Sequence, residues 1–544
     1  MPLPARGCVA PLPAPLTMAG FLQQALARVD RSRVGLALAV CVAMLWGFWS
    51  APLVDVDEGA FAEATREMIA SGNYVSIYLN GEPRTDKPVL TYWAQAASVH
   101  LFGLNEAALR LPSVLAGLGW LSLLYRFTRR HTDRPTATVA ALLMALSLYI
   151  GLIGKAATAD ALLNLFLAGA MFAIYDQFTA PRPARLRWIF VLMGLGFLTK
   201  GPVAVLIPLL VSGIFYLSYR RGREWLRLAF DPVGLLLFLA IVVPWHVAVY
   251  LDSGWTFFEG FYLHHNLDRY DTPMQGHAGG ILYYPLVAPL IVMPFAGWLL
   301  SILGRLRGAA GDPLERYLWL WFFCVLAVFS LSGTKLPHYL LYGMSGLFVL
   351  MARHRESVRN RWLNLLPVAI LFGLFGGLPQ IFGALATGTH RAYDRELFES
   401  GAQAFTGWPQ AGLIAAGIAV VLILATRAAL WRRLLLVGYV QAAAIALIVA
   451  PTVIGVLQSG PKAAAEYARE HAKPLVFHRA QPPSVSLYRQ AVIPRRAAAP
   501  GDWVYLRSDR VDEFLAEPSP YRRRVVFHQG PATLVAVEHS TGGD

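Results

Sequence analysis

Residues 34–52 read VGLALAVCVAMLWGFWSAP, and residues 53–69, directly behind them, read LVDVDEGAFAEATREMI. The first stretch is nearly all hydrocarbon and, as a helix, is long enough to cross the roughly 30 Å core of a bilayer. The second places Asp55, Asp57, Glu58, Glu63 and Glu67 at its mouth. The same apolar texture recurs along all 544 residues, of which 56% are hydrophobic and 15% charged, with a mean hydropathy of +0.48. Such values lie far outside the soluble globular range, and the period-2 alternation of a membrane barrel is absent. An all-α polytopic membrane protein is therefore expected, because helices satisfy their own backbone groups where no water can.

Apolar runs near 33–52, 107–127, 136–153, 160–179, 186–199, 201–219, 229–251, 281–303, 315–331, 336–352, 361–386, 409–426 and 430–457 predict about thirteen transmembrane helices. The segment PVLTYWAQAASVHLFG (88–103) is short and mixed, and is expected to lie along the interface. With that choice the arginine-rich connections around 28–33, 129–134, 182–187, 220–223, 305–307, 353–359 and 427–433 fall on one side. The excess of basic residues in short cytoplasmic loops makes that side, and the N-terminus, cytoplasmic. All six lysines, Lys87, Lys155, Lys200, Lys335, Lys462 and Lys473, then lie on the outer side. This topology accounts for the net charge of +14 without nucleic acid as a partner. No cleavable signal peptide is read in the first thirty residues, and Met18 is an alternative start. The expected division is a cytoplasmic segment 1–32, a membrane domain 33–457 with an outer loop over 53–106, and an outer domain 458–544.

The outer loops carry charge at helix ends, where an ionisable group is costly and is by default a sign of function. They are NGEPRTDKP (80–88), GKAATADALL (154–163), LTKGP (198–202), HHNLDRYDTPMQGH (264–277) and SGTKLPHY (332–339). Together with the acidic stretch they offer the carboxylates Asp57, Glu58 and Asp160, the cations Lys87, Lys200, Arg269 and Lys335, and the hydroxyl of Tyr339. Cations at a hydrocarbon boundary suit a phosphate held on a lipid, lysine as a point charge and arginine as a fork. Asp160 also reads as a helix N-cap. In GAFAEATREM, Phe61, Ala64 and Met68 share one helical face, leaving Glu63 and Glu67 as solvated acids on an interfacial helix. His264, His265 and Asp268 resemble metal-ligand material without a tight ligand spacing, so no metal is expected and no cofactor is required. Cys8, Cys41 and Cys324 are too scattered for a disulfide framework.

Beyond 458 the composition shifts. KAAAEYAREHAK (462–473) and DRVDEFLAEP (509–518) read as helices, and PLVFHRA (474–480), DWVYLRS (502–508), RRVVFHQG (523–530) and TLVAVEH (533–539) as strands, a small α/β lid or cap. A transporter or flippase is the rival class, but the charges gather at outer helix ends instead of the midplane and no inverted repeat is seen. A passive scaffold would need no facing acids and lysines.

The order of these features carries a resemblance. A DE pair after the first apolar run, AE-x-x-REM, LNG-x-x-x-x-DKP with YW behind it, a TAD acid before a later span and TKLPHY follow one another over roughly residues 33–350. This pattern resembles the phospholipid-carrier-dependent glycosyltransferases of the GT-C superfamily, among them the aminoarabinose transferases that modify lipid A and, more distantly, protein O-mannosyltransferases. The resemblance implies a GT-C fold in the bacterial inner membrane and an undecaprenyl-phosphate-linked sugar donor. It further implies an acceptor on the outer face: a lipid A phosphate first, another glycolipid or a protein hydroxyl as the alternative. Asp57 matches the catalytic acid, beside Glu58, and Asp160 the second acid; Lys87 matches the phosphate-binding lysine, and Lys335 and Tyr339 the KLP-x-Y motif. Lys200 and Arg269 match more loosely. Gly59, Ala60 and Phe61 stand where arginine and tyrosine are usual, and KPV replaces KPP, departures that bear on sugar and acceptor more than on reaction class.

Overall fold

The computed structural model describes residues 26, 28–268 and 279–539, in which the apolar runs fold as packed helices. Glu106–His131 shows how the chain punctuates them. The Asn105 side chain accepts from the Ala108 amide at 2.9 Å, an acid opens the helix, and Arg129, Arg130 and His131 close it, each matching the helix dipole. Its 26 residues run about 39 Å, from one end of the bundle to the other.

Among the described residues six helices are long and apolar enough to cross a membrane, or seven if Arg361–Gly376 and Leu378–Gly388, bent by 71°, form one span. The thirteen expected crossings are not all reached by that criterion, because several runs are broken. Residues 136–153 fold as Arg134–Leu146 and Leu148–Ile153, interrupted at Ser147, and 281–303 as Tyr283–Ile291 and Ala296–Leu303. The opening run is also shorter than expected: Arg33–Val40 passes into a π-turn at Cys41–Leu45 and the helix stops before Trp46. Segment 88–103 forms the 13-residue helix Leu90–Phe102, too short to cross.

The interior is aromatic, and most of its large polar aromatics find partners: Tyr317 donates to the Met171 carbonyl at 2.6 Å, Trp321 to that of Tyr342 at 2.7 Å, and Trp120 to Ser345 Oγ at 2.7 Å. Tyr92 Oη and Trp319 Nε1 have none among the described residues. The arginine-rich loops meet at one end, where Arg130 pairs with Asp176 and Arg355 donates to Thr136 Oγ1 at 2.8 Å. The acidic helix, Asp160, Lys87 and Lys200 lie at the other.

At that second end lies the acidic helix, Asp57–Ser71, terminated by Gly72 in the left-handed conformation (φ 70°). It is not the solvated interfacial helix expected. Glu63 is fully buried against Arg66, with two bonds of 2.7 Å. Glu67, 7% exposed, accepts from the amides of Asn80 and Gly81 at 2.6 and 3.0 Å, clamping the tight turn between strands Tyr78–Leu79 and Glu82–Pro83. These acids are inside because the C-terminal domain and the Leu90–Phe102 helix cover faces that would otherwise meet water.

The C-terminal domain is an α/β unit whose strands lie in the order 475–477, 503–507, 532–539, 521–529, the first pair parallel and the rest antiparallel. The anticipated helices and strands are present. The expected boundary at 458 falls inside one continuous helix, Ala450–Glu470. One element was not anticipated, the short helix Pro483–Arg489, and it docks the domain onto the acidic helix. Ser484 gives its amide (3.0 Å) and hydroxyl to Asp55, Ser486 bonds Asn80, and the Tyr488 hydroxyl accepts from the Leu53 amide at 2.8 Å and donates to Glu106 at 3.1 Å. Gly59 sits under this contact: a Cβ there would crowd the Asp55 carboxylate and come within 2.9 Å of the Ser484 amide.

Two outcomes follow from this junction. Gly59→Ala is expected to destabilise the protein by about 1–3 kcal/mol through overpacking, read as a lowered thermal midpoint of the purified protein; an unchanged midpoint would show that the junction yields. Burial, opposed by the Ser484 bonds, pushes the Asp55 carboxyl up to about 6. Between its ordinary value and that one, the native state holds a proton the unfolded chain releases, so this group's contribution falls as pH rises through the interval. The thermal midpoint of Asp55→Asn is expected to lack that component of the pH dependence.

Candidate active site

The site is built where segments 79–87, 158–160 and 336–339, together with Lys200 and His265, converge on the first turn of the acidic helix. Asp57 and Glu58 are adjacent, and the helical turn between them sends their side chains apart. Glu58 is 6% exposed and accepts four bonds: from Arg110 Nε and Nη2 at 2.8 and 2.7 Å, and from the amides of Val54 and Ala157 at 3.0 and 2.8 Å. It faces inward, away from the chamber that Asp57 lines. Asp57 is exposed and lines a polar chamber of about 340 Å³ together with Arg84, Lys87, Asp160, Lys200 and His338.

Asp160 begins helix Asp160–Thr179; the capping position is Ala159, so the expected N-cap role falls to no side chain. Its carboxylate takes the Lys200 ammonium at 2.5 Å and the Tyr342 hydroxyl at 3.3 Å, with His338 Nε2 at 3.8 Å. Lys87 is held by its neighbour, donating to the Asp86 carbonyl at 2.9 Å and to Asp86 Oδ2 at 3.1 Å. Arg84 grips the same carboxylate from the other side at 2.7 and 3.3 Å. Burial alone would raise the Asp86 carboxyl, but the two cations hold it well below the usual carboxylate range.

Beside the polar chamber lies a second cavity of about 460 Å³ whose walls include Val203, Leu206, Phe261, Val328 and Phe329. The two share a wall made by Asp86, Lys87, Lys200, His265 and Tyr339. Lys200 also stands 5.4 Å from the centre of the Tyr339 ring. Such an arrangement accommodates an amphiphile: hydrocarbon on one side, anionic group at the lysines, polar head on the other.

The sequence-derived residues thus divide. Asp57, Asp160, Lys87, Lys200 and Tyr339 come together, as does His265, whereas His264 is exposed and lines neither chamber. Lys335 also lines neither: its ammonium donates to the carbonyls of Phe329, Ser330 and Ser332 at 3.0, 2.6 and 2.5 Å, closing the end of helix Pro313–Leu331. Arg269 lies outside the described residues. Among the described residues no cluster of three or more His, Cys, Asp or Glu side chains is arranged to hold a metal ion. Arg84, Asp86, His338 and Tyr342 were missed. The first three stood inside the loops already quoted, while Tyr342, within the apolar run 336–352, left no signal.

Comparison with known proteins places this geometry. Residues 86–247 match the family described as dolichyl-phosphate-mannose-protein mannosyltransferase. A protein of Aquifex aeolicus (strain VF5) is 31% identical over 350 residues, covering 62% of this chain and 78% of that one. The undecaprenyl phosphate-α-4-amino-4-deoxy-L-arabinose arabinosyl transferase of Aeromonas salmonicida (strain A449) is 30% identical over 392 residues, 67% of this chain and 68% of the other. In fold, the chain superposes on the crystal structure of ArnT from Cupriavidus metallidurans bound to undecaprenyl phosphate with a TM-score of 0.73 at 21% identity, over 94% and 98% of the two chains. With the motifs in order, the two-chambered site and relatives of this kind, the chain belongs to the family of lipid-carrier-dependent glycosyltransferases, has an ArnT-like GT-C fold and is a multi-pass membrane glycosyltransferase.

Proposed function

We propose that this chain moves 4-amino-4-deoxy-L-arabinose, or a closely related amino sugar, from undecaprenyl phosphate to a phosphate of lipid A on the outer face of the inner membrane. The observation that carries the reading is the wall of lysines shared by an apolar and a polar chamber. A polyprenyl tail needs the first chamber, its phosphate the lysines, and its sugar the second. The sidedness follows the arginine distribution, with the N-terminus cytoplasmic and residues 458–544 periplasmic.

In this reading Lys87 and Lys200 hold the carrier phosphate. Their charges are in place before reaction, so the electron pair left on the phosphate oxygen when the bond to the anomeric carbon breaks is stabilised without reorganisation. Lys200 is kept in place by Asp160, and Tyr339 packs over it. The acceptor oxygen attacks the anomeric carbon from the opposite face, with inversion. Asp57 borders the polar chamber alone and acts on that side. An ionised phosphate acceptor needs no base, so there the carboxylate orients the sugar and stabilises positive charge at its ring; a hydroxyl acceptor would use it as general base. Glu58 and Lys335 have structural roles.

Three measurements test the reading. Lipid A from matched cells with and without the gene is expected to differ by one sugar mass on a phosphate; identical spectra would move the acceptor elsewhere. Asp57→Asn is expected to lose about 10²-fold or more in turnover with its thermal midpoint and carrier affinity kept, and turnover that survives would remove the carboxylate from the mechanism. Lys87→Ala should weaken undecaprenyl phosphate binding by roughly tenfold or more, the scale of one charge-assisted contact; unchanged affinity, measured by fluorescence titration, would dismiss the shared wall as the phosphate site.

A further inference from the structure

The polar chamber contains one cation that the donor does not need. Arg84 is 10% exposed in its side chain, and its guanidinium lies 4.8 Å from the centre of the Phe61 ring, which stacks on Tyr92. Two of its nitrogens are spent on Asp86. The third, Nη1, is buried and has no partner among the described residues. A guanidinium cannot shed its proton to escape this, and a buried donor left unmade is costly. Such a group calls for an oxygen acceptor, and because the Arg84 side chain lines the polar chamber, a small side-chain rotation would offer Nη1 to an oxygen brought there.

Position says which ligand. Lys87 and Lys200 border both chambers, where a phosphate on a hydrocarbon tail must sit. Arg84 borders only the polar chamber, as do Asp57 and Phe61. A donor entering tail-first from the apolar side meets the lysines with its phosphate and carries only its sugar further. Among the chamber's side chains Arg84, Lys87 and Lys200 are matched in number by Asp57, Asp86 and Asp160, so an anion there is held by directed bonds and not by net charge. We propose that Arg84 is the acceptor-side clamp, its Nη1 taking an oxygen of a phosphate monoester and so selecting an anionic acceptor over a neutral hydroxyl. The inference rests on the proposed function and deepens it. The step balances without a proton. A monoester oxygen carrying negative charge forms the bond to the anomeric carbon, and the bond from that carbon to the carrier phosphate breaks with its electron pair on the carrier. A dianionic monoester and a monoanionic diester thus become a monoanionic diester and a dianionic carrier phosphate.

The test uses the full-length protein with undecaprenyl-phosphate-linked aminoarabinose as donor and phosphorylated lipid A as acceptor. In Arg84→Gln the acceptor KM is expected to rise by about 10- to 100-fold, the loss of a bond to a charged group, while the affinity for undecaprenyl phosphate stays within about twofold. Arg84→Lys should recover part of the loss. An unchanged acceptor KM, or an equal loss of carrier affinity, would overturn the proposal. Should Arg84→Gln not fold, the wild type decides. Glucosamine 1-phosphate is expected to inhibit in competition with the acceptor and not with the carrier, and glucosamine to inhibit far less; equal inhibition by the two would overturn it. A wild-type protein that fails to bind undecaprenyl phosphate would instead overturn the functional reading beneath it.

Discussion

The arrangement depends on one buried ion pair. Glu58 and Arg110 lie 52 positions apart, and the carboxylate they share with the amides of Val54 and Ala157 ties together the end of the first apolar run, the Glu106–His131 helix and the loop that leads into Asp160. With four donors on its two oxygens, Glu58 is fully paired at a buried position where an unpaired carboxylate would be costly. Removing either partner of such a pair costs about 3–5 kcal/mol. Its structural consequence is specific: it holds both Asp57, the residue next to Glu58, and the loop from Ala157 that leads into Asp160, the two acids that line the chamber.

Around that knot the charges are handled in pairs. Asp160 fixes Lys200, Asp86 fixes both Lys87 and Arg84, and Lys335 is absorbed by three carbonyls at a helix end. Pairing keeps cations at a hydrocarbon boundary affordable and holds Lys87, Lys200 and Arg84 at the polar chamber before any ligand arrives, the preorganisation that the proposed transfer would use. The C-terminal domain contributes to this rigidity from outside. Its helix Pro483–Arg489 bonds Asp55, Asn80 and Leu53, which flank Asp57 and its loop, so the domain steadies the lip of the site without supplying a group to it.

Much of this was legible beforehand. The helical membrane class, the clustering of arginines at one end, the strands of the C-terminal domain and the five residues Asp57, Asp160, Lys87, Lys200 and Tyr339 all follow from local pattern or motif order. The differences share a cause. Glu63 and Glu67 read as solvated because a helix of mixed polarity looks interfacial when its covering partners are unknown. Lys335 matches a phosphate-binding motif while its ammonium lies on three carbonyls, because a motif marks a position without saying where the ammonium points. The docking helix PSVSLYR was missed because seven residues give too little periodicity.

By itself the sequence determined the solvent: apolar runs of that length leave helices in lipid as the only economical state, and the spacing of arginines sets their ends. Tertiary structure alone decided which charges face the polar chamber. Asp57 and Glu58 are neighbours of equal chemistry at the same helix end, and no local rule separates them. What separates them is Arg110, brought from 52 residues away to claim one carboxylate and leave the other at the chamber. In a medium of low dielectric a charge lies where its partner is, and the partner is a property of the fold.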